Sequence, residues 1–539
     1  MSRERTVGAK KVIGLDFGTL SARALLVGVE DGEVYAEASF SYPHGVLDTA
    51  LPNGSPLPED YALAHPADYL AALRHCVKAV MAGVDAEDVI GLGVDATTYS
   101  MVPCLENGEA MCLRPEFSGE PMAYIKLWKH HAAKPQAARL QALHTATGAL
   151  SAIERCGGVI NCEWALPKLL ETYEKAPSLA ERAYRFCDLG EWLVWQLTGK
   201  PVNSMYSLGF KCMWAPELAG PDAAALERLN PGFSKLVEEK LLGPPSSYNA
   251  PCGRLTESIA AELGLKPGTA VAAPIGDGSA PGVYFGLTHP KAITVTYGTS
   301  IAMAFLHKEL KPISGINGVA KDGIVPGFYG YDAGQPCAGD MLDWFAEYSV
   351  PEKYARAAKD AGMDIHTYLT ELAAYRPWQN KITVLDWFNG NRGILNDMSL
   401  RGSILGLSLG SRPEDIYGAM VQGIACGTRR ILEHLTANGI DFDEIIVCGG
   451  VAEKNAFAIQ QYANILGREL YVSRQRQLTA RSAAILAAIA AGVPPDRAAE
   501  AMASAQFQVV APDREHGKDY EAIYRRWTAY HDMLSQTPY

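Results

Sequence analysis

Short apolar runs closed by glycine turns recur along this chain, and longer stretches with helical spacing separate them. Residues 12–16 are apolar and break at Gly18. Residues 22–29 are apolar again, Asp31-Gly32 signals a tight turn, and 34–40 follow. Runs of this length between turn residues predict two or three short strands over 11–40. Residues 66–82 carry apolar positions at helical spacing and predict a helix that opens beside Asp68, read here as its N-cap. Residues 89–95 form a short apolar run ending in an acid. Residues 162–172 and 190–197 read as helices, and 269–275 as a buried strand. A second set begins near Lys291: strand-like 292–296, a break at Gly298, and strand-like 301–306. A long helical pattern covers 413–438, with Gly439 as its stop. Residues 445–447 are apolar and run into Gly449-Gly450, and 482–491 read as a helix of small residues. The aromatics between Tyr520 and Tyr539 suit a terminal amphipathic helix.

The two sets share one plan: strand, Gly-Thr turn, strand, with Gly18-Thr19 in the first and Gly298-Thr299 in the second. The plan predicts two related α/β domains, 1–285 and 286–539. A length of 539 residues agrees, being too long for one ordinary domain. Apolar residues at 48% and charged residues at 20% exclude disorder as the main state. The formal net charge of −12 argues against nucleic acid or an anionic membrane as the main partner, while leaving room for anionic small molecules at a local glycine loop. No run is apolar for long enough to predict a membrane span. The eleven cysteines follow no pairing frame, and the polar start of the chain has no apolar signal core, so free thiols in a reducing cytoplasm are expected.

Four turns carry candidate chemistry. In Gly14-Leu15-Asp16-Phe17-Gly18-Thr19-Leu20-Ser21-Ala22-Arg23, Gly18 permits a tight turn, Thr19 and Ser21 offer hydroxyls and amides to phosphate oxygens, and Arg23 adds charge. Asp16, at the end of a buried strand, suits a carboxylate that positions hydrated Mg²⁺. The same residues also make an ordinary β-hairpin. Thr296-Tyr297-Gly298-Thr299-Ser300 alone is only a turn. In Cys448-Gly449-Gly450-Val451-Ala452-Glu453-Lys454-Asn455, paired glycines between strand and helix let backbone approach a ligand. Neither a dinucleotide fingerprint nor a P-loop motif is present. In Pro274-Ile275-Gly276-Asp277-Gly278, an acid between glycines at a strand end suits a carboxylate that takes a proton from a hydroxyl, though an Asp-Gly turn needs no such role. The adjacent His130-His131 point apart on any regular element and read as structural.

The three glycine loops, with Gly276-Asp277-Gly278 between the first two, resemble the FGGY family of carbohydrate kinases. Ala419-Met420-Val421-Gln422-Gly423-Ile424 matches the family's C-terminal signature, and the likeness runs from about Val12 to Ala491. Several strings are similar to its ribulokinase branch: His65-Pro66-Ala67-Asp68-Tyr69, Gly93-Val94-Asp95-Ala96-Thr97, Leu113-Arg114-Pro115-Glu116-Phe117, Leu127-Trp128-Lys129-His130-His131, and Leu385-Asp386-Trp387-Phe388-Asn389-Gly390. Asp332-Ala333-Gly334-Gln335 with Gly339-Asp340 fits too.

The resemblance implies a two-domain actin-like ATPase fold, ribonuclease H-like, with an interdomain cleft. The N-terminal domain would bind the sugar and carry the first phosphate loop and the catalytic Asp, and the C-terminal domain would bind nucleotide and end in a helical tail. The implied activity is ATP- and Mg²⁺-dependent phosphorylation of a pentulose, L-ribulose to L-ribulose 5-phosphate. Asp277 would be the base, and Ala96, Lys211, Asp332 and Trp128 would contact sugar. Gly18, Thr19, Ser21, Arg23, Gly298 and Thr299 would face the ATP phosphates, Gly450 and Asn455 the adenosine, and Asp16 the metal. A homodimer is compatible with this reading. The chain departs from the ribulokinase pattern at Asp332, usually Glu, at Phe210, usually His, and at His130, usually Asp. Arg481-Ser482-Ala483-Ala484 stands for the usual Leu-Gly-Ala-Ala. The first two departures bear on which sugar is taken. The rival readings are a kinase for D-ribulose, xylulose or ribitol, and a nucleotide-switch or sugar-sensing member of the same fold.

Overall fold

The computed structural model describes residues 9–216, 218, 220–503 and 506–536. The chain forms two compact units. The first holds residues 1–290, 318–330 and 477–504, and the second holds 291–317, 331–476 and 505–539. The sequence pattern predicts consecutive halves, 1–285 and 286–539, whereas the first break between the units falls after Pro290. The pattern does not give the two returns to the first unit.

In the first unit, three strands meander antiparallel: Lys11–Phe17, Ser21–Gly28 and Val34–Ser41. Val89–Ala96 then pairs parallel to Lys11–Phe17, with Asp16 opposite Asp95. The run expected as one strand over 269–275 is two short ones, Ala270–Val271 and Ile275–Gly276, each parallel to Val89–Ala96. Pro274 stands just before the second strand and cannot donate to a ladder. Lys11–Phe17 and Val89–Ala96 are buried almost throughout, as strands covered on both faces must be.

The later return, the helix Leu478–Ala490, lies on those two strands. Its small residues match glycines on the sheet. A Cβ on Gly14 would sit 1.9 Å from Ala480 O, and one on Gly93 would sit 1.9 Å from Ala483 O. The helix expected over 66–82 spans Pro66–Val80, but its cap is His65, whose ring nitrogen accepts from Ala67 N. Asp68 instead accepts from His44 N, which removes it from the capping role. The helices expected at 162–172 and 190–197 are Ala165–Lys175 and Leu189–Thr198.

The second unit repeats the opening plan. Ala292–Tyr297 and Ile301–His307 form an antiparallel pair, and Glu444–Cys448 joins the first of them in parallel. The sheet continues through Leu470–Ser473 to Phe507–Val510 on one side and borders Tyr329–Gln335 on the other. The long helix runs Pro413–Ala437, and Gly439, at φ +81°, stops it. The terminal helix runs Gly517–Leu534 and buries Tyr520, Ile523, Tyr524 and Trp527. Residues 537–539 of the expected stretch lie outside the described residues.

Candidate active site

In the first unit, three parallel strands end side by side, and each delivers a carboxyl. Asp16 and Asp95 face each other in register. Asp277 follows Ile275–Gly276, and its N–H donates to Ala96 O at 3.0 Å. Carboxyl ends of parallel strands are where α/β sheets place ligands.

Asp277 is anchored through one oxygen. Thr98 N (3.2 Å), Thr98 Oγ1 (3.0 Å) and Gly278 N (2.8 Å) all donate to Oδ1. Since Thr98 spends its proton on Asp277, Tyr206 must donate to Thr98 Oγ1, at 2.8 Å. Gly276 makes room for this tyrosine, because a Cβ there would sit 2.3 Å from the Tyr206 ring. Burial holds Asp277 above the usual carboxyl range, against the pull of Thr98. Oδ2 is left to accept a proton. Neither Thr98 nor Tyr206 stands out in the sequence. Thr98 lies one residue past the Gly93–Thr97 string, and Tyr206 offers no signal, since its role depends on helix Met205–Lys211 docking against residue 276.

Asp16 accepts from Thr479 Oγ1 at 2.8 Å and has Arg23 at 3.7 Å. Burial raises its carboxyl despite both partners. Asp95 is fully buried, with neither oxygen hydrogen-bonded to a donor. Burial, then the charges of Asp16 and Asp277, hold it well above the usual range. A hard divalent cation at Asp16 would relieve a carboxyl that burial has raised.

The turn after Asp16 closes by Gly18 N donating to Ser21 O at 3.0 Å. Thr19 Oγ1 accepts from the Trp128 indole at 3.1 Å, so two residues expected on different substrates touch each other, and the Thr19 hydroxyl keeps its own proton to donate. Arg23, expected toward phosphate, lies in the ladder opposite Asp16 and pairs with it. Lys211 closes the helix Met205–Lys211. The unusual Phe210 is wholly buried against Tyr206 and lies where a Cβ on Gly318 or Gly323 would reach. His130 and His131 are structural, bonded to Glu171 and Glu163.

In the second unit, the Gly298 turn closes on Ser300 O at 3.0 Å. The carbonyls of Gly298 and Thr299 accept from the first amides of the helix Gly339–Tyr348, namely Gly339 N (3.0 Å) and Asp340 N (3.2 Å). Gly449, at φ +100°, lies where a Cβ would strike Tyr297 O, whereas Gly450 has open space around it. Asn455, expected beside adenosine, caps the helix Ala456–Leu466 through Ala458 N and donates to Thr370 Oγ1. Asp332 accepts from Asn317 Nδ2 at 3.2 Å, and Asn317 Oδ1 is buried without a donor.

Residues 293–491 match the family model for the C-terminal domain of the FGGY family of carbohydrate kinases. The chain is 38% identical to a ribulokinase of Geobacillus thermodenitrificans, over 98% of this chain and 95% of that one. It is 38% identical to a ribulokinase of Mycolicibacterium smegmatis, over 98% and 94%. Among solved structures, a xylulose kinase from Rhodospirillum rubrum superposes with a TM-score of 0.77 at 20% identity, covering 97% of this chain and 99% of that one. A glycerol kinase from Plasmodium falciparum does so at 0.74 and 15%, covering 98% of each.

Proposed function

Because the chain belongs to the FGGY family of carbohydrate kinases, with their actin-like ATPase fold, and is a sugar kinase of ribulokinase type, we propose that it converts L-ribulose and ATP to L-ribulose 5-phosphate and ADP. The observation that carries the reading is the anchoring of Asp277 through Oδ1 alone. Oδ2 is the free lone-pair site on a carboxyl whose burial raises its basicity.

The terminal hydroxyl of the ketose gives its proton to Asp277 Oδ2 as its oxygen bonds to the γ-phosphorus. The bond from that phosphorus to the β–γ bridging oxygen breaks, and ADP carries away the electron pair. Such transfer asks for positioning and charge neutralisation more than covalent chemistry. Ala96, Lys211, Trp128 and Asp332 hold the sugar. The Gly18–Ser21 and Gly298–Thr299 turns face the phosphates with Arg23 behind the first, and Gly450 and Asn455 lie toward the adenosine. Asp16 would hold Mg²⁺, which when bound neutralises developing phosphate charge. Eleven free thiols support a cytoplasmic setting.

The test is turnover of the wild type and Asp277→Asn on L-ribulose, D-ribulose, L-xylulose and ribitol, read as ADP release. L-ribulose should give the highest kcat/KM. The variant should lose about 10²- to 10⁴-fold in kcat, the usual cost of removing a general base, while still binding the ketose. Near-normal turnover by the variant would sink the assignment.

A further inference from the structure

Lys168 sits on the helix Ala165–Lys175, in the same unit as Asp277, with no exposed surface. Its Nζ donates to two neutral carbonyls, Tyr99 O at 2.9 Å and Leu127 O at 2.8 Å. Burial, opposed first by Glu163, brings the amine down to about 7. A buried amine is a costly way to fill space that an apolar side chain of the same length would fill.

The two carbonyls share one property: each adjoins a residue of the candidate site. Tyr99 follows Thr98, whose N–H and hydroxyl hold Asp277. Tyr99 is itself at φ +48°, a conformation uncommon for an aromatic residue and one that needs a partner to keep it. Leu127 precedes Trp128, whose indole holds Thr19. The helix that carries Lys168 is fixed in turn, since the buried Lys126 donates to Lys168 O at 3.0 Å and to Glu171.

We propose that Lys168 is a positioning residue: by pinning the carbonyls of Tyr99 and Leu127, it holds the Thr98 clamp on Asp277 and the Trp128–Thr19 contact in one arrangement. The proposal rests on the reading of Asp277 as the base. Lys168 touches no reacting atom. It acts through Thr98 and through Trp128, so its removal and the removal of the Thr98 hydroxyl should overlap in the part of the effect carried by the clamp on Asp277.

The experiment compares Lys168→Met, Thr98→Val and the double variant on full-length protein, with circular dichroism and melting to score folding. Lys168→Met should fold and lose about ten- to a hundredfold in kcat, the scale set by an ångström of misplacement. KM for ketose and for ATP should stay within about threefold, the pattern of an interaction expressed in the transition state. The double variant should lose less than the product of the two single losses. Should Lys168→Met not fold, Lys168→Arg, whose longer guanidinium displaces both carbonyls, carries the same comparison. Wild-type kcat in a folded variant, losses that multiply in the double, or failure of both replacements to fold would each overturn the proposal. Asp277→Asn separates the two readings. If it retains turnover, the base assignment fails. If it is dead while Lys168→Met is unaffected, only the role of Lys168 fails.

Discussion

At the scale of single residues, buried carboxyls are the feature of this protein that chemistry can interrogate most directly. Asp386 is the clearest case outside the candidate site. It lies in the second unit at 2% exposure, accepts from Gln335 Nε2 at 2.7 Å through one oxygen, and has no donor on the other. Burial raises it from 3.8 to about 6, with Gln335 pulling the other way. A carboxyl that binds its proton more tightly when folded adds stability below its unfolded value, and that stability is lost as pH rises through the folded one. The window is therefore about pH 4 to 6, and the full swing is on the order of 3 kcal/mol. Asp386→Asn imitates the neutral form. It should flatten the dependence, so that the variant gains on the wild type in urea midpoint between pH 4.5 and 7.5. Parallel curves for the two proteins would show that Asp386 is ionised in the fold.

At the scale of elements, the seating of Leu478–Ala490 on the sheet decides whether the acid-bearing strand ends line up. Thr479 on that helix bonds Asp16, and Ser482 bonds Ala280 O three residues past Asp277. Gly93→Ala would set a methyl 1.9 Å from Ala483 O, a backbone atom that cannot swing aside. Overpacking of this kind costs about 1–3 kcal/mol. Melting should fall by several degrees, while Gly517→Ala, with open space around it, should leave melting unchanged. Equal melting of the two variants would mean that helix and sheet are not in contact at Gly93. This contact also marks where the sequence stopped being legible. The strand–turn–strand plan could be read because its apolar runs and Gly-Thr turns are local. The destination of residues 477–504 could not, since a small-residue helix and a glycine-bearing strand signal close packing but not with whom. The same division runs through the candidate site. Asp16 and Asp277 announce themselves as acids at strand ends. Thr98, Tyr206 and Lys168 act through partners far apart in sequence and carry no local pattern. His65 displaced Asp68 as a cap because His44 competes for the aspartate, again a non-local contact.

At the scale of the whole molecule, the property to explain is which ketose it prefers, and Asp332 is one of the two positions expected from the sequence to bear on that choice. Its side chain has a brace. Asn317 donates to Asp332 Oδ1 at 3.2 Å through its amide, and Asn317 N donates to Asp332 O at 2.9 Å. Asn317 gives up satisfaction of its own Oδ1 in this position. The carboxylate is therefore held back, about one carbon–carbon bond or ~1.5 Å short of where a glutamate would reach. If Asp332 reads a sugar hydroxyl, Asp332→Glu should move the carboxylate off Asn317 and reorder the substrates. A hydrogen bond to a charged group is worth about 1.5–3 kcal/mol, which amounts to roughly one to two orders of magnitude in relative kcat/KM. Asp332→Ala should flatten the ranking. Asn317→Ala should loosen the carboxylate and shift the ranking in the direction of Asp332→Glu, with kcat on the best substrate changed less than KM. Measurement of kcat/KM for L-ribulose, D-ribulose, L-xylulose and ribitol in all four proteins decides the matter. One unchanged order throughout would mean that Asp332 does not touch the sugar and that selectivity is set elsewhere.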